Sequence, residues 1–360
     1  MNKSDAIMQN ALDEKAFPGG VLLAARYDRV IIHKAYGVSD PFTARPVSRD
    51  TIYDLASLTK PLATAASLMH LVDAGRINIK DRLGEILPEF AGSDKAGIRI
   101  EQLLCHNSGL PKHRPYYKEL ARFAPETRKQ RLRGLLAKET LVHEPGTVTL
   151  YSDPGFMILQ WVVEHVSGRT LDRYAEEYIY RPMGIRDLFF IPGEIPREHR
   201  NRMFAPTEAF AGGDLICGRV HDENAEALGG VSGHAGLFGT ARAVFDILAD
   251  MLLAADGRSE SRVFSAAVLK KFFIIPDDAE RAPGFDVPSR TDSSTGRYFT
   301  PLRSFGHLGF TGVSFWMDLA SSIIVVLLTN RVCPCRENQK IRLLRPAIHD
   351  AAIEDILEGK

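Results

Sequence analysis

Ser57 and Lys60 stand three residues apart in "YDLASLTKPLATAASLMHLVDAG" (53–75), a stretch otherwise suited to burial. A buried ammonium must find partners or release its proton, because an unpartnered one costs several kcal/mol or more. Pro61 locates the helix start, since proline fits a helix only in the first turn, where its missing N–H is not needed. Ser57 therefore falls at or just before the N-terminus of a helix that ends at Gly75. There its hydroxyl sits in the positive field of free N–H groups, which can stabilise an oxyanion. Lys60, at i+3, shares that face. Apolar residues cover the other faces, so the lysine is expected to be desolvated, its pKa lowered and its neutral amine usable as a base near pH 7. A serine activated in this way is a nucleophile for acyl transfer. The simpler alternative has Ser57 capping the helix and Lys60 snorkelling to solvent. Against it, this is the only Ser-x-x-Lys in the chain, and it opens the most apolar long helix.

The elements that would position this pair follow from periodicity. A helix over about Ser4–Ala16 leads into "GVLLAARYDRVIIHKAYG", two apolar runs around Tyr27-Asp28-Arg29 that read as a β-hairpin. Helical patterns then dominate: Leu58–Ala74, Ile100–Cys105, Phe156–Val166, Leu171–Tyr180, and Ala241–Ala255 with a stop at Gly257. Strand signals return in "SFGHLG", "GVSFWMD" and "SIIVVLLT", ahead of a helical tail from about Asn338. Strands at both ends with helices between predict an α+β fold. An antiparallel sheet is built from both chain ends, flanked by helices, and carries an inserted, mostly helical lobe. We expect one catalytic unit over 1–360, with a sheet lobe of about 1–80 and 230–360 and a helical lobe of about 81–229.

Composition narrows the function. The 360 residues are 45% hydrophobic and 25% charged, so a sizeable core can form. Lys plus Arg and Asp plus Glu are both 45, so no net field favours nucleic acid or an anionic membrane. Cys105, Cys217, Cys333 and Cys335 are too few and too irregular for a disulfide framework, and Cys333-Pro-Cys335 reads as a surface turn. No run reaches membrane-spanning length, and the first residues lack a signal-peptide core. The default expectation is cytoplasmic, or periplasmic for a chain whose export signal has been removed.

Ser57-Leu58-Thr59-Lys60 resembles the first motif of the serine β-lactamase and penicillin-binding protein superfamily. In the class C β-lactamase and esterase branch the second motif is Tyr-x-Asn and the third Lys-Thr-Gly or His-x-Gly. Tyr151-Ser152-Asp153 is the only Tyr-x-Asp/Asn here. Lys95-Ala-Gly97, His234-Ala-Gly236 and His307-Leu-Gly309 fit the third, and only the last lies in a strand-like run near the C-terminus. "CHNSGLP", "RPMGI" and "GHLGFTG" add lesser matches, and "VHDENAEALGGVSGHAGLFGTA" (220–241) resembles a narrower bacterial branch. The resemblance spans about Phe17 to Arg345. It implies that Ser57 forms an acyl-enzyme, that Lys60 and Tyr151 share the proton traffic, and that the N–H groups of Ser57 and Phe310 form the oxyanion hole. It implies no metal and no cofactor.

Two departures bear on substrate. Asp153 stands where the family more often has Asn, and Asp153-Pro154 also reads as an N-cap followed by proline at the first helical position. An aspartate near Lys60 would keep the lysine protonated and move base work to Tyr151. His307 replaces a lysine that helps hold a substrate carboxylate; with a pKa near 6.5 it is neutral at pH 7 and gains charge toward pH 6. Leu308 offers no hydrogen bond. Both favour an ester or an uncharged small amide. The rival readings are a D-alanyl-D-alanine carboxypeptidase or weak β-lactamase acting on cell-wall peptides, and a silent module that binds a cell-wall fragment. His106, His221, Asp222 and His234 lack metal-ligand spacing, and the Gly-rich 229–239 stretch reads as a tight turn beside a site.

Overall fold

A computed structural model describes residues 2–209, 213–291 and 293–359. Among the described residues, nine strands form two antiparallel sheets. β1 (Gly19–Arg26), β2 (Arg29–Asp40) and β3 (Arg45–Pro46) follow the N-terminal helix Lys3–Asp13. β4 (Tyr53–Asp54), β5 (Leu188–Phe190) and β6 (Leu237–Gly239) make a small sheet in the order β4-β6-β5. β7 (Ser304–Leu308), β8 (Ser314–Asp318) and β9 (Ile323–Thr329) complete the large sheet, ordered β3-β2-β1-β9-β8-β7. The two chain ends thus meet at the β1–β9 pair, where Leu23 faces Val326. This is the architecture that the sequence predicts.

Alternation explains why β1 and β9 are apolar throughout. Val21, Leu23, Ala25, Ile324, Val326 and Leu328 enter the main core, whereas Leu22, Ala24, Ile323, Val325 and Leu327 enter a second cluster. That second cluster is closed by Met8 and Ala11 of the N-terminal helix and by Ile348, Ala352 and Ile356 of the C-terminal helix Ile341–Glu358. A strand covered on both faces has no polar side to show. The main core continues without a break from the sheet through Leu58, Leu62 and Leu68 to Phe156, Leu159 and Val163 of the helix Asp153–Ser167.

β7 is an edge strand, and that fixes where the site opens. Among the described residues its outer side bridges to another segment at Gly306, which exchanges both backbone hydrogen bonds with Asp286. His307 and the residues after it are left on the free part of the edge. Cys333-Pro-Cys335 is a turn, as expected, but only Cys335 is at the surface; Cys333 is buried. Among the described residues no helix is long and apolar enough to cross a membrane.

Candidate active site

The sequence pattern predicts an ordinary helix here, but the helix that carries Ser57 is irregular at its start. It opens as a 3₁₀ turn over Ala56–Leu58, widens to π-helical geometry over Lys60–Ala65 and becomes α-helical only from Ala66 to Asp73. Ala56 has φ +46, a left-handed conformation that a residue with a side chain adopts at a cost. The surroundings hold it there. Ala56 N–H donates to Asp54 Oδ1 (2.8 Å), His221 N–H donates to Asp54 Oδ2 (2.7 Å), and Thr311 Oγ1 donates to the Asp54 carbonyl (2.8 Å). One buried aspartate therefore ties the turn before Ser57 to the 221 segment and to the loop after β7. Thr59 adds a second tie: its hydroxyl donates to the Ala56 carbonyl (2.6 Å) and accepts from Leu237 N–H on β6 (3.1 Å).

Lys60 is fully buried, as expected, and surrounded by acceptors. Its ammonium lies 3.2 Å from Ser57 Oγ, 3.2 Å from the His234 carbonyl and 2.8 Å from Asp153 Oδ1. Three N–H donors meet three acceptors, so the pocket suits the charged form. Burial alone would lower its proton affinity, but Asp153 and then Tyr151 outweigh burial and raise the Lys60 pKa above its ordinary value. The expected neutral amine is therefore overturned: the aspartate keeps this lysine an ammonium. Asp153 itself is held well below the usual carboxylate range; Lys60 and His113 outweigh the opposing effect of burial.

The capping expectation for Asp153 is corrected as well. Ser152 is the N-cap, its Oγ accepting from Gly155 N–H (3.1 Å) and donating to the Pro111 carbonyl (2.8 Å), while Asp153 is the first helical residue. With that duty taken by its neighbour, the Asp153 carboxylate is free for Lys60.

Tyr151 is half-buried, and its phenol is turned toward Lys60 and Ser57. Its ring lies 4.7 Å from Lys60 Nζ, stacks on His106 (4.5 Å between centroids) and faces Arg281 (5.6 Å) and His307 (6.0 Å). Burial pushes the phenol pKa up, the adjacent ammonium only partly offsets this, and the group rests as a neutral phenol. His106 holds the segment in place: its Nδ1 accepts from Ser152 N–H (2.9 Å).

His307 is buried, and its pKa is pushed down to about 3 by burial and then by Lys60. The expectation of a histidine that charges near pH 6 is overturned: a second positive charge beside an ammonium in a closed pocket is unfavourable. Nδ1–H donates to the Leu308 carbonyl (2.8 Å), leaving buried Nε2 without a partner among the described residues. Gly309 is required by close approach, since a Cβ there would meet Val313 Cγ2 at 2.3 Å and the Leu55 carbonyl at 2.9 Å. Phe310 stands half-exposed beyond it, stacked on His221 (5.6 Å) and under the Arg331 guanidinium (4.6 Å).

All seven residues singled out from the sequence thus gather around the turn that carries Ser57: Ser57, Lys60, Tyr151, Asp153, His307, Gly309 and Phe310. Sequence reasoning missed Asp54, His113 and Arg281, gave His106 no place in the site, and offered His234 only as a third-motif alternative. Lys95, one third-motif alternative, is paired with its neighbour Asp94. His234 touches the site from behind, its carbonyl on Lys60 and its ring between Asp222 (2.9 Å) and Ser232 (2.9 Å). The Gly-rich stretch is a turn beside the site, as expected, where Gly233 accepts from Thr64 (2.7 Å) and leaves no room for a Cβ against the Phe156 carbonyl.

Comparison with known proteins agrees with this geometry. The β-lactamase family model matches residues 4–347. A relative from Escherichia coli K12, named "Putative D-alanyl-D-alanine carboxypeptidase", is 30% identical over 360 aligned residues, covering 92% of this chain and 82% of its own length. Among solved structures, EstCE1, a hydrolase with promiscuous acyltransferase activity, superposes with a TM-score of 0.76 at 24% identity, over 97% of both chains. A class C β-lactamase from Rhodobacter sphaeroides superposes with a TM-score of 0.75 at 16% identity, over 99% of this chain and 100% of its own. At those identities the two superpositions speak for the fold alone.

Proposed function

The chain is a serine hydrolase belonging to the β-lactamase family, and we propose that it works through an acyl-enzyme on Ser57, with an ester or small amide as substrate. The observation that carries this reading is the contact of Ser57 Oγ with a fully buried Lys60 that Asp153 holds as an ammonium. A resting site with a charged lysine and a neutral phenol must lose one proton before it can activate the serine. That proton belongs to the Lys60–Tyr151 pair jointly. Once it has left, Tyr151 Oη takes the Ser57 proton as Oγ bonds to the carbonyl carbon, then delivers it to the departing alcohol or amine. In deacylation Oη takes a proton from water and returns it to Oγ, which restores the starting state. The N–H groups of Ser57 and Phe310 would hold the oxyanion, each typically contributing about 3 kcal/mol.

Neutral His307 favours an uncharged substrate over a carboxylate, because its buried Nε2 can only accept a hydrogen bond. The second reading is a D-alanyl-D-alanine carboxypeptidase. It is favoured by the name of the E. coli relative and by the Arg281 guanidinium over the Tyr151 ring, a cation that the motifs did not disclose. Incubation with an activated neutral ester, followed by mass spectrometry, tests the first proposal: an adduct is expected on Ser57 and none in Ser57→Ala. An adduct that persists in Ser57→Ala refutes it. The ratio of kcat/KM for a neutral ester to that for a D-Ala-terminated peptide separates the two substrate readings.

A further inference from the structure

We propose that His113 is a positioning residue that acts through Asp153 to set how tightly Lys60 holds its proton. The proposal rests on the acyl-enzyme reading above for its catalytic consequence, and on geometry alone for the coupling itself.

The two oxygens of Asp153 face two different cations. Oδ1 is 2.8 Å from Lys60 Nζ and Oδ2 is 3.5 Å from His113 Nδ1. Side-chain exposure climbs along the row, from 0% for Lys60 through 16% for Asp153 to 46% for His113. A buried ion pair is thus linked to solvent by an imidazole. The linkage is held by backbone: Asp153 N–H donates to the Lys112 carbonyl (3.0 Å) and Ser152 Oγ to the Pro111 carbonyl (2.8 Å), fixing the segment that carries His113 against the helix start.

The charged groups that act most strongly on His113 are acidic, Asp153 and then Asp222 and Glu223 at the start of the short helix Glu223–Ala227, although Lys112 and Arg114 flank it in the chain. Its contact with Asp153 is the chief reason that its pKa lies above the ordinary histidine value. Asp153 faces Lys60, His113 and His234, and Lys60 faces Asp153 and Tyr151. A carboxylate shared by two cations holds each of them less firmly. With His113 protonated, the Lys60–Tyr151 pair gives up its proton more readily; with His113 neutral, Asp153 is left to Lys60 alone. By linkage the influence is reciprocal, so the state of Lys60 must show in the titration of His113.

Two measurements test this, and the first needs no catalysis. In Ser57→Ala protein, the His113 ring is titrated by NMR, its signal identified by its loss in His113→Gln. The midpoint is expected above 6.5, lower when Asp153→Asn is added, and higher when Lys60→Met is added. A midpoint indifferent to both substitutions overturns the proposal. The second measurement compares kcat/KM of His113→Gln with that of the parent across pH. A deficit of about three- to fivefold, the size commonly carried by a half-exposed ion pair, is expected below the histidine's own midpoint and should close above it. It should vanish when Asp153→Asn is already present. A deficit uniform in pH would mark a merely structural role and overturn the proposal. If Ser57 never acylates, the proposed function fails, and the NMR titration still decides the role of His113.

Discussion

Asp153→Asn removes one negative charge 2.8 Å from a fully buried ammonium and changes almost nothing else in shape. At that separation and an effective dielectric constant of about 20, the Coulomb attraction is about 6 kcal/mol. Asparagine still offers a carbonyl to the amine, and the site relaxes, so only part of this is lost. A quarter of it, about 1.5 kcal/mol, is enough to move an ionisation by one pH unit. The sign is the same whichever member of the Lys60–Tyr151 pair gives up the proton, because Asp153 raises the proton affinity of both. The acidic limb of the kcat/KM profile should therefore move at least one unit to lower pH, giving about tenfold more activity at a pH on the limb, relative to the plateau. Stability should follow in a pH-dependent way. In the variant the buried amine is left with desolvation as its main influence, so its folded proton affinity falls below the unfolded one. The penalty, about 1–3 kcal/mol, is fully present well below the variant's folded midpoint and disappears as pH rises toward the unfolded value. Urea titrations at pH 7 and pH 9 should show the difference from wild type shrinking. A limb that stays put, or moves to higher pH, would refute the claim that Asp153 governs the proton on Lys60.

Other outcomes follow from the same geometry. Because the His307 pKa lies near 3, the ratio of kcat/KM for a carboxylate-bearing ester to that for its neutral analogue should stay flat between pH 8 and pH 5; a rise near pH 6 would contradict the burial argument. That depressed value also makes the folded protein resist a proton that the unfolded chain accepts, so stability falls as pH drops from about 6.5 toward 3. His307→Gln should remove about 1 kcal/mol of this loss per pH unit, read from urea midpoints at pH 6 and pH 4.5. Gly309→Ala drives a methyl group into Val313 and the Leu55 carbonyl; a loss of about 1–3 kcal/mol and a kcat/KM down at least tenfold are expected, whereas near-wild-type kinetics would mean that the loop does not touch the Ser57 turn in the working enzyme. Ser152→Ala should cost about 1 kcal/mol as a lost helix cap and leave the acidic limb where it was, which separates capping from charge at adjacent positions.

What the sequence discloses and what it hides divide along a physical line. Ser57 with Lys60, the strand that carries His307 and the helix ending at Ala255 are legible because each rests on spacing within one element. Periodicity, a proline and a stop signal are local, and local physics decides them. The role of Asp153 is different, because it hangs on a shift of one residue. Had Asp153 been the cap, its carboxylate would be spent on N–H groups of its own helix; with Ser152 there instead, it turns to Lys60, and a would-be neutral amine becomes an ammonium. Propensity ranks serine and aspartate about equally as caps, so no local rule could choose between them. The Pro111 carbonyl, 41 positions away, accepts a hydrogen bond from the Ser152 hydroxyl and fixes the choice. The same reasoning covers the residues that were missed. His113 and Arg281 belong to separate segments that only the tertiary fold brings to Ser57, and Asp54, three positions before it, owes its role to distant partners, the N–H of His221 and the hydroxyl of Thr311. The electrostatics of the site is therefore a property of the assembled fold. His307 carries a reference value near 6.5 as an isolated side chain and about 3 once closed in, a shift made by burial and by Lys60, a neighbour 247 positions earlier in the chain.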